Sequence, residues 1–169
     1  RTMFSRLVKR GELAENPALG IRFAAEPPPR PKAISEEDYM AMRAAADCAR
    51  DRAILDVLWS SGCRLGGLLS MRIDRVEQWD EVDGRHCFAM LVEEKGAKVR
   101  WVYVGKERLQ GEGLYEYLRE RPAAAARRMF LTTVQPWRPL SGPGAQHVLM
   151  RLKRWAEIPK ERPCNAHAF

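Results

Sequence analysis

The residues best suited to chemistry in this sequence are cations at turns. Arg64 follows the break Ser60-Ser61-Gly62-Cys63, which separates two apolar runs in the stretch RDRAILDVLWSSGCRLGGLLSMRI. A planar, permanently charged, forked guanidinium at such a break suits a phosphate or carboxylate. An ordinary salt bridge is the other reading of the same residue. Lys95 falls in the turn of EEKGAKVRWVYV, where Gly96 permits a tight bend. A lysine there is a point charge, a proton donor when desolvated, or simply a solvated turn residue. Lys98 and Arg100 are basic companions suited to phosphate contact. His167, in the tail, can donate to a phosphate oxygen or act as an acid. The sequence has no HExxH and no glycine-rich loop long enough to cradle a nucleotide. Tyr39, Tyr103, Tyr115 and Tyr117 sit on apolar stripes or a strand and read as packing residues.

These side chains need elements to hold them. Met3, Phe4, Leu7 and Val8 have helical spacing, stopped by Gly11, and Asn16-Pro17 signals a turn. FAAEPPPRPKA, residues 23–33, reads as a stiff proline-rich linker. Ser35 with Glu36, Glu37 and Asp38 predicts a capped helix start, with Tyr39, Met40, Met42 and Ala46 on its apolar side. A second helix spans about Asp51 to Ser60, with Ala53, Ile54, Val57 and Leu58 on one face, widened by Leu55 and Trp59. Gly62 fits the left-handed position that ends it, and a short helix over Leu65–Ser70 comes next. Asp83-Gly84 signals a turn, after which 87–92 and 99–104 read as two antiparallel strands. Residues 112–121 predict a helix with Leu114, Tyr117 and Leu118 inward, and 123–128 is open between helix and loop. Ser141 caps a last helix with Val148, Leu149, Leu152, Trp155 and Ala156 facing in, while His147, Arg151, Lys153 and Arg154 fall largely outside that stripe. The fold class expected is α+β: mainly α-helical with a small antiparallel β-sheet.

With 169 residues, 46% hydrophobic and 30% charged, the chain is of the globular and not the disordered class. No apolar run approaches the roughly 18 residues of a membrane-spanning helix. The N-terminus has no signal-peptide core, so a cytoplasmic location is expected. It also lacks an initial Met, which suggests a start inside a longer frame. The net charge of +7 and pI near 9.5 favour a polyanionic partner or a solvated basic surface. Cys48, Cys63, Cys87 and Cys164 show no paired spacing and read as reduced thiols, mostly in apolar surroundings.

The order of these features resembles the tyrosine recombinases, the phage-integrase-like site-specific recombinases. RDRAILDVLWSSGCRLGGLLSMRIDRVE resembles the first arginine motif, EEKGAKVRWVYV the β-hairpin lysine, LSGPGAQHVLMRLKRWAEIP the helix before the HxxR box, and NAHAF the opening of that box. RTMFSRLVKRGELAENPALGI is similar to the end of the core-binding domain, and ISEEDYMAMRAAA to the first catalytic-domain helix. The resemblance implies three parts: residues 1–22 ending a core-binding domain, a linker at 23–33, and a partial catalytic domain at 34–169. It implies that Arg64 clamps the scissile phosphate, that Lys95 protonates the leaving 5′-oxygen, and that His167 assists proton transfer. That fits phosphoryl transfer, which gains most from cations on the equatorial oxygens and an acid at the leaving group.

The function implied by the resemblance is site-specific recombination or integration by DNA cleavage and rejoining, with no metal or nucleotide cofactor. Double-stranded DNA is the expected partner, with Lys98, Arg100, Arg151 and Arg154 as contacts and further recombinase protomers on the same DNA. Two departures stand out. The family usually carries an acid three positions after the first arginine, where this chain has Gly67. The second arginine and the nucleophilic tyrosine are expected beyond Phe169, so this chain alone is expected to bind DNA without cleaving it. The alternatives are a non-catalytic DNA-binding relic or accessory regulator, and an unrelated basic helical module for protein or RNA.

Overall fold

The computed structural model describes residues 2–21, 33–79, 87–94, 96, 98–105, 108–123 and 126–169. The chain divides into two compact units, Arg1–Pro31 and Lys32–Phe169. The first holds helix α1, Thr2–Lys9, and a turn. There the Asn16 amide donates to Ser5 Oγ at 2.9 Å, and Asn16 Oδ1 accepts the Ala18 N–H at 2.9 Å. Of the proline-rich stretch only Ala33 is among the described residues.

The second unit opens with α2, Glu36–Ala44. Ser35 caps it as its sequence signature requires, its hydroxyl accepting the Asp38 N–H at 3.1 Å. Tyr39, Met42 and Ala46 are buried, but Met40 is exposed. Helix α3, Ala49–Ser61, is the centre of the core: Ala53, Ile54, Leu55, Val57 and Leu58 are all fully buried. Trp59 is half-buried and stacks on Tyr39, with ring centroids 4.5 Å apart. Gly62 ends α3 at φ +55°, the left-handed conformation that glycine adopts without a Cβ clash. Helix α4, Leu65–Ser70, begins three residues later.

The sheet has three antiparallel strands in the order β1 (Val76–Trp79), β2 (Cys87–Glu94) and β3 (Lys98–Val104). β1 is an addition to the two strands expected. At four residues it is too short to show a clear period by itself. The register pairs Met90 with Val102 and Glu94 with Lys98 across the β2–β3 hairpin, and its turn residue Gly96 has φ +86°. Alternation puts Phe88, Met90, Val92, Val102 and Val104 on the core face, where all are buried. The Asp83-Gly84 turn signal lies outside the described residues.

Helix α5, Arg108–Glu120, starts four residues before the expected position and buries Leu114 and Tyr117 against α3. The described part of 123–128 is loop, bridging Arg128 to Arg72. Met129, Phe130 and Leu131 are buried. Helix α6, Gly142–Trp155, is capped by Ser141, which accepts the Gly144 N–H at 3.1 Å. It buries Ala145, Val148, Leu149 and Leu152, whereas Trp155, expected inward, is substantially exposed. The tail returns to the core: Cys164, Ala166 and Ala168 are buried, and Ile34 N–H donates to the Ala168 carbonyl at 2.8 Å. All four cysteines are free thiols, with Cys63 and Cys164 buried and Cys48 and Cys87 partly so. No helix among the described residues is long and apolar enough to cross a membrane.

Candidate functional site

Only two residues separate the end-cap Gly62 from α4, so the chain turns sharply there. Arg64 is the second of them, with extended backbone (φ −66°, ψ 157°), and its carbonyl accepts the Leu68 N–H at 3.0 Å. Cys63 and Leu68, on either side, are buried and fix the turn. The Arg64 side chain projects from this anchored base and is 66% exposed.

Arg64 Nη1 donates to Glu94 Oε2 at 3.2 Å. Arg100, on β3, donates from Nη2 to Glu94 Oε1 at 3.3 Å. Glu94 is the last residue of β2, and its side chain is only 12% exposed. One shielded carboxylate therefore joins two arginines from two elements. The Arg100 hydrogen bond, followed by Arg64, holds the Glu94 carboxyl below the usual glutamate range.

His167 reaches the same place from the tail. Its own N–H donates to Asn165 Oδ1 at 2.9 Å, and the Asn165 carbonyl accepts the Ala168 N–H at 2.8 Å. Ala166 and Ala168 on either side are buried, so this turn presents the exposed histidine outward. Arg64, Glu94, Arg100 and His167 line one cleft of about 330 Å³, together with Gly62, Cys63, Ala166 and Phe169. Three cationic or protonatable groups thus line one cleft, and two of them are hydrogen-bonded to its carboxylate. With few apolar walls, the cleft suits a small anionic group such as a phosphate diester.

The other expected residues are distributed as follows. Lys98 is exposed, pairs across the hairpin with Glu94 and stands two residues from Arg100, on the same face of β3. Lys95 lies outside the described residues. Arg154 is exposed on α6 and does not line the cleft. Arg151 differs from the outward-facing residue expected. Its guanidinium turns in to Asp51 Oδ2 and lies 4.8 Å over the Trp155 ring. Asp51 is fully buried and also accepts Arg50 Nε at 2.8 Å and Nη2 at 2.5 Å. A buried carboxylate needs its cations, so Arg151 serves the core.

Two residues that hold this region together are not legible in the sequence. Glu94 read only as part of a charged turn. Ser70 read only as a helix end, yet its hydroxyl accepts the Glu93 N–H at 2.8 Å and donates to the Gly67 carbonyl at 2.7 Å. That bridge ties α4 to the strand end that carries Glu94.

No protein-family model matches the chain. Among curated proteins it is 33% identical over 134 residues to the tyrosine recombinase XerD of Pseudomonas putida, covering 73% of this chain and 43% of that protein. It is 30% identical to the tyrosine recombinase XerC of Alcanivorax borkumensis over 99% of this chain and 52% of that protein. The chain thus spans about half the length of these relatives. Among solved structures, a lambda integrase dimer bound to a COC' core site matches with a TM-score of 0.71 at 20% identity, over 99% of this chain and 59% of that one. A XerH site-specific recombinase bound to difH substrate matches with a TM-score of 0.59 at 20% identity, over 82% of this chain and 40% of that one. Both solved structures share the fold.

Proposed function

The chain belongs to the tyrosine recombinase family, and on that premise we propose that it binds duplex DNA and contributes half of a scissile-phosphate site for strand cleavage and rejoining. The observation that carries this reading is the convergence of Arg64, Arg100 and His167 on one cleft from three separate parts of the chain. Arg64 is the clamp on a non-bridging phosphate oxygen, because its anchored base and exposed guanidinium suit forked contact with an oxyanion. Arg100 and Lys98 add charge along the adjoining strand. His167 donates to a second phosphate oxygen or moves the proton there. Lys95 is assigned the leaving 5′-oxygen by family resemblance alone.

None of the four tyrosines lines the cleft. Tyr39 and Tyr117 are buried, their hydroxyls donating to Asp56 Oδ1 at 2.8 Å and to the Met129 carbonyl at 2.9 Å. The cleft's own residues account for phosphate binding and proton transfer. The attacking tyrosine, whose 3′-phosphotyrosyl bond would replace the 5′-oxygen bond, comes from outside it. In the same reading the chain acts beside other recombinase protomers on DNA. A relic with a degenerate site is the less favoured reading, since the residue that departs from the family pattern, Gly67, lies beside the stem of Glu94, whose carboxylate is paired to Arg64.

The test is duplex-DNA affinity across a salt series. Each phosphate neutralised contributes about 0.9 to the slope of log affinity against log salt. A steep fall with salt is expected, and affinity constant across the series would overturn the reading.

A further inference from the structure

Gly67 does not need to be glycine for its own backbone, since its φ is not positive. Nor is it short of room. A Cβ built there would meet Cys63 Cβ, Val92 Cβ and Glu94 Cγ, each at 3.6 Å, which is ordinary contact. A side chain at position 67 would therefore start in contact with the space that the Glu94 stem now fills. From that space the Glu94 carboxylate reaches Arg64 on one side and Arg100 on the other. The Ser70 bridge between Gly67 and Glu93 fixes the separation of the two positions.

We propose that Glu94 is the positioning residue of the phosphate site, and that positions 67 and 94 form one exchangeable pair in which a single carboxylate, here delivered from β2 and not from α4, orients Arg64 and Arg100 toward a phosphate. The proposal rests on the functional reading above and deepens it. Two arginines in one small cleft repel each other and, without a shared acceptor, spread over many rotamers. A shielded carboxylate bonded to one nitrogen of each lowers both costs while leaving the remaining donors of each fork for a ligand. Glu94 would instead be a placeholder if it occupied the phosphate's own position, and the two roles predict opposite signs. Losing a placeholder, or simply losing a negative charge, tightens anion binding. Losing a positioning group weakens it despite the lost charge.

The experiment uses inorganic phosphate as probe, titrated into the full chain and followed by amide NMR shifts around Arg64 and His167. Glu94→Gln keeps size but removes the charge and turns one of the two acceptor oxygens into an NH2 donor, and roughly threefold weaker binding is expected from the loss of the two ion pairs. Arg64→Ala provides the second background, in which Glu94→Gln should weaken binding less than in the unsubstituted chain, because only Arg100 is then left to orient; an equal or larger loss there overturns the positioning of Arg64. Moving the carboxylate, with Gly67→Glu and Glu94→Gly together, should restore affinity to within about twofold of the original. Gly67→Glu alone should weaken binding, because two carboxylates then compete for one space. Equal or tighter binding by Glu94→Gln in the unsubstituted background overturns the positioning role and leaves the phosphate site standing. No phosphate response at Arg64 and His167 in the unsubstituted chain overturns the functional reading, and the positioning role with it. Failure of the exchanged pair to recover, in a variant whose amide spectrum shows it folded, overturns the pairing of 67 with 94.

Discussion

At Glu94 a carboxyl group takes its properties from residues 30 and 6 positions away in the chain. Arg100 contributes most to holding it below the ordinary glutamate range, and Arg64 adds to this. Because the folded-state value is depressed, the stabilisation from this carboxylate is full above the ordinary glutamate pKa and is lost as pH falls through the lower, folded value. Carbon-detected NMR titration should find the Glu94 midpoint below that of a glutamate in an unfolded peptide. Arg100→Ala should raise the midpoint more than Arg64→Ala does. An unchanged midpoint in both variants would contradict the bridging geometry. Arg64 itself was legible as a cation at a helix break, because the glycine stop and the apolar runs are local signals. Its partner was not, because Glu94 comes from another element and only the hairpin register delivers it. The ion pair of Arg151 was not legible for the same reason, since its acceptor Asp51 lies 100 residues earlier.

Among the elements, α3 and α5 pack together with a glycine at their contact. Gly113 faces the buried Asp56, whose carboxylate accepts Tyr39 Oη at 2.8 Å and Arg43 Nε at 2.8 Å. A Cβ at position 113 would stand 1.9 Å from Asp56 Oδ2. Alanine normally favours a helix over glycine by about 1 kcal/mol. Here the sign should reverse, with Gly113→Ala costing on the order of 3 kcal/mol through overpacking and disturbance of a buried ion pair. A denaturant midpoint at or above that of the unsubstituted chain would contradict this packing. Ser70→Ala should cost about 1 kcal/mol by the same measurement, for the loss of the hydroxyl that serves both α4 and β2. The sequence showed α2, α3, α4, α6 and the β2–β3 hairpin through caps, stops and periodicity. It did not show β1, whose four residues are a strand only because Val76 to Trp79 pair with Met90 to Cys87. Nor did it show that Trp155 would lie substantially exposed, with the Arg151 guanidinium 4.8 Å over its ring.

Across the molecule, net charge and motif order suggested a polyanion as partner, and the second unit gathers the expected cations unevenly. Arg64, Arg100 and His167 share a cleft, with Lys98 adjoining it on β3. Arg154 is exposed away from that cleft's lining, and Arg151, partly buried, is ion-paired with Asp51. A net charge of +7 would by itself give salt-sensitive DNA binding, so salt dependence alone does not single out the cleft. The most direct test compares two single-charge removals. Arg64→Ala takes a cation from the cleft, and Arg52→Ala takes one that is paired with Glu116 at 3.1 Å on another surface. Duplex-DNA affinity should be measured for both across one salt series. Arg64→Ala should weaken binding and lower the log–log slope by about 0.9, while Arg52→Ala leaves the slope near that of the unsubstituted chain. Equal slopes and equal affinities for the two variants would contradict a phosphate site at Arg64.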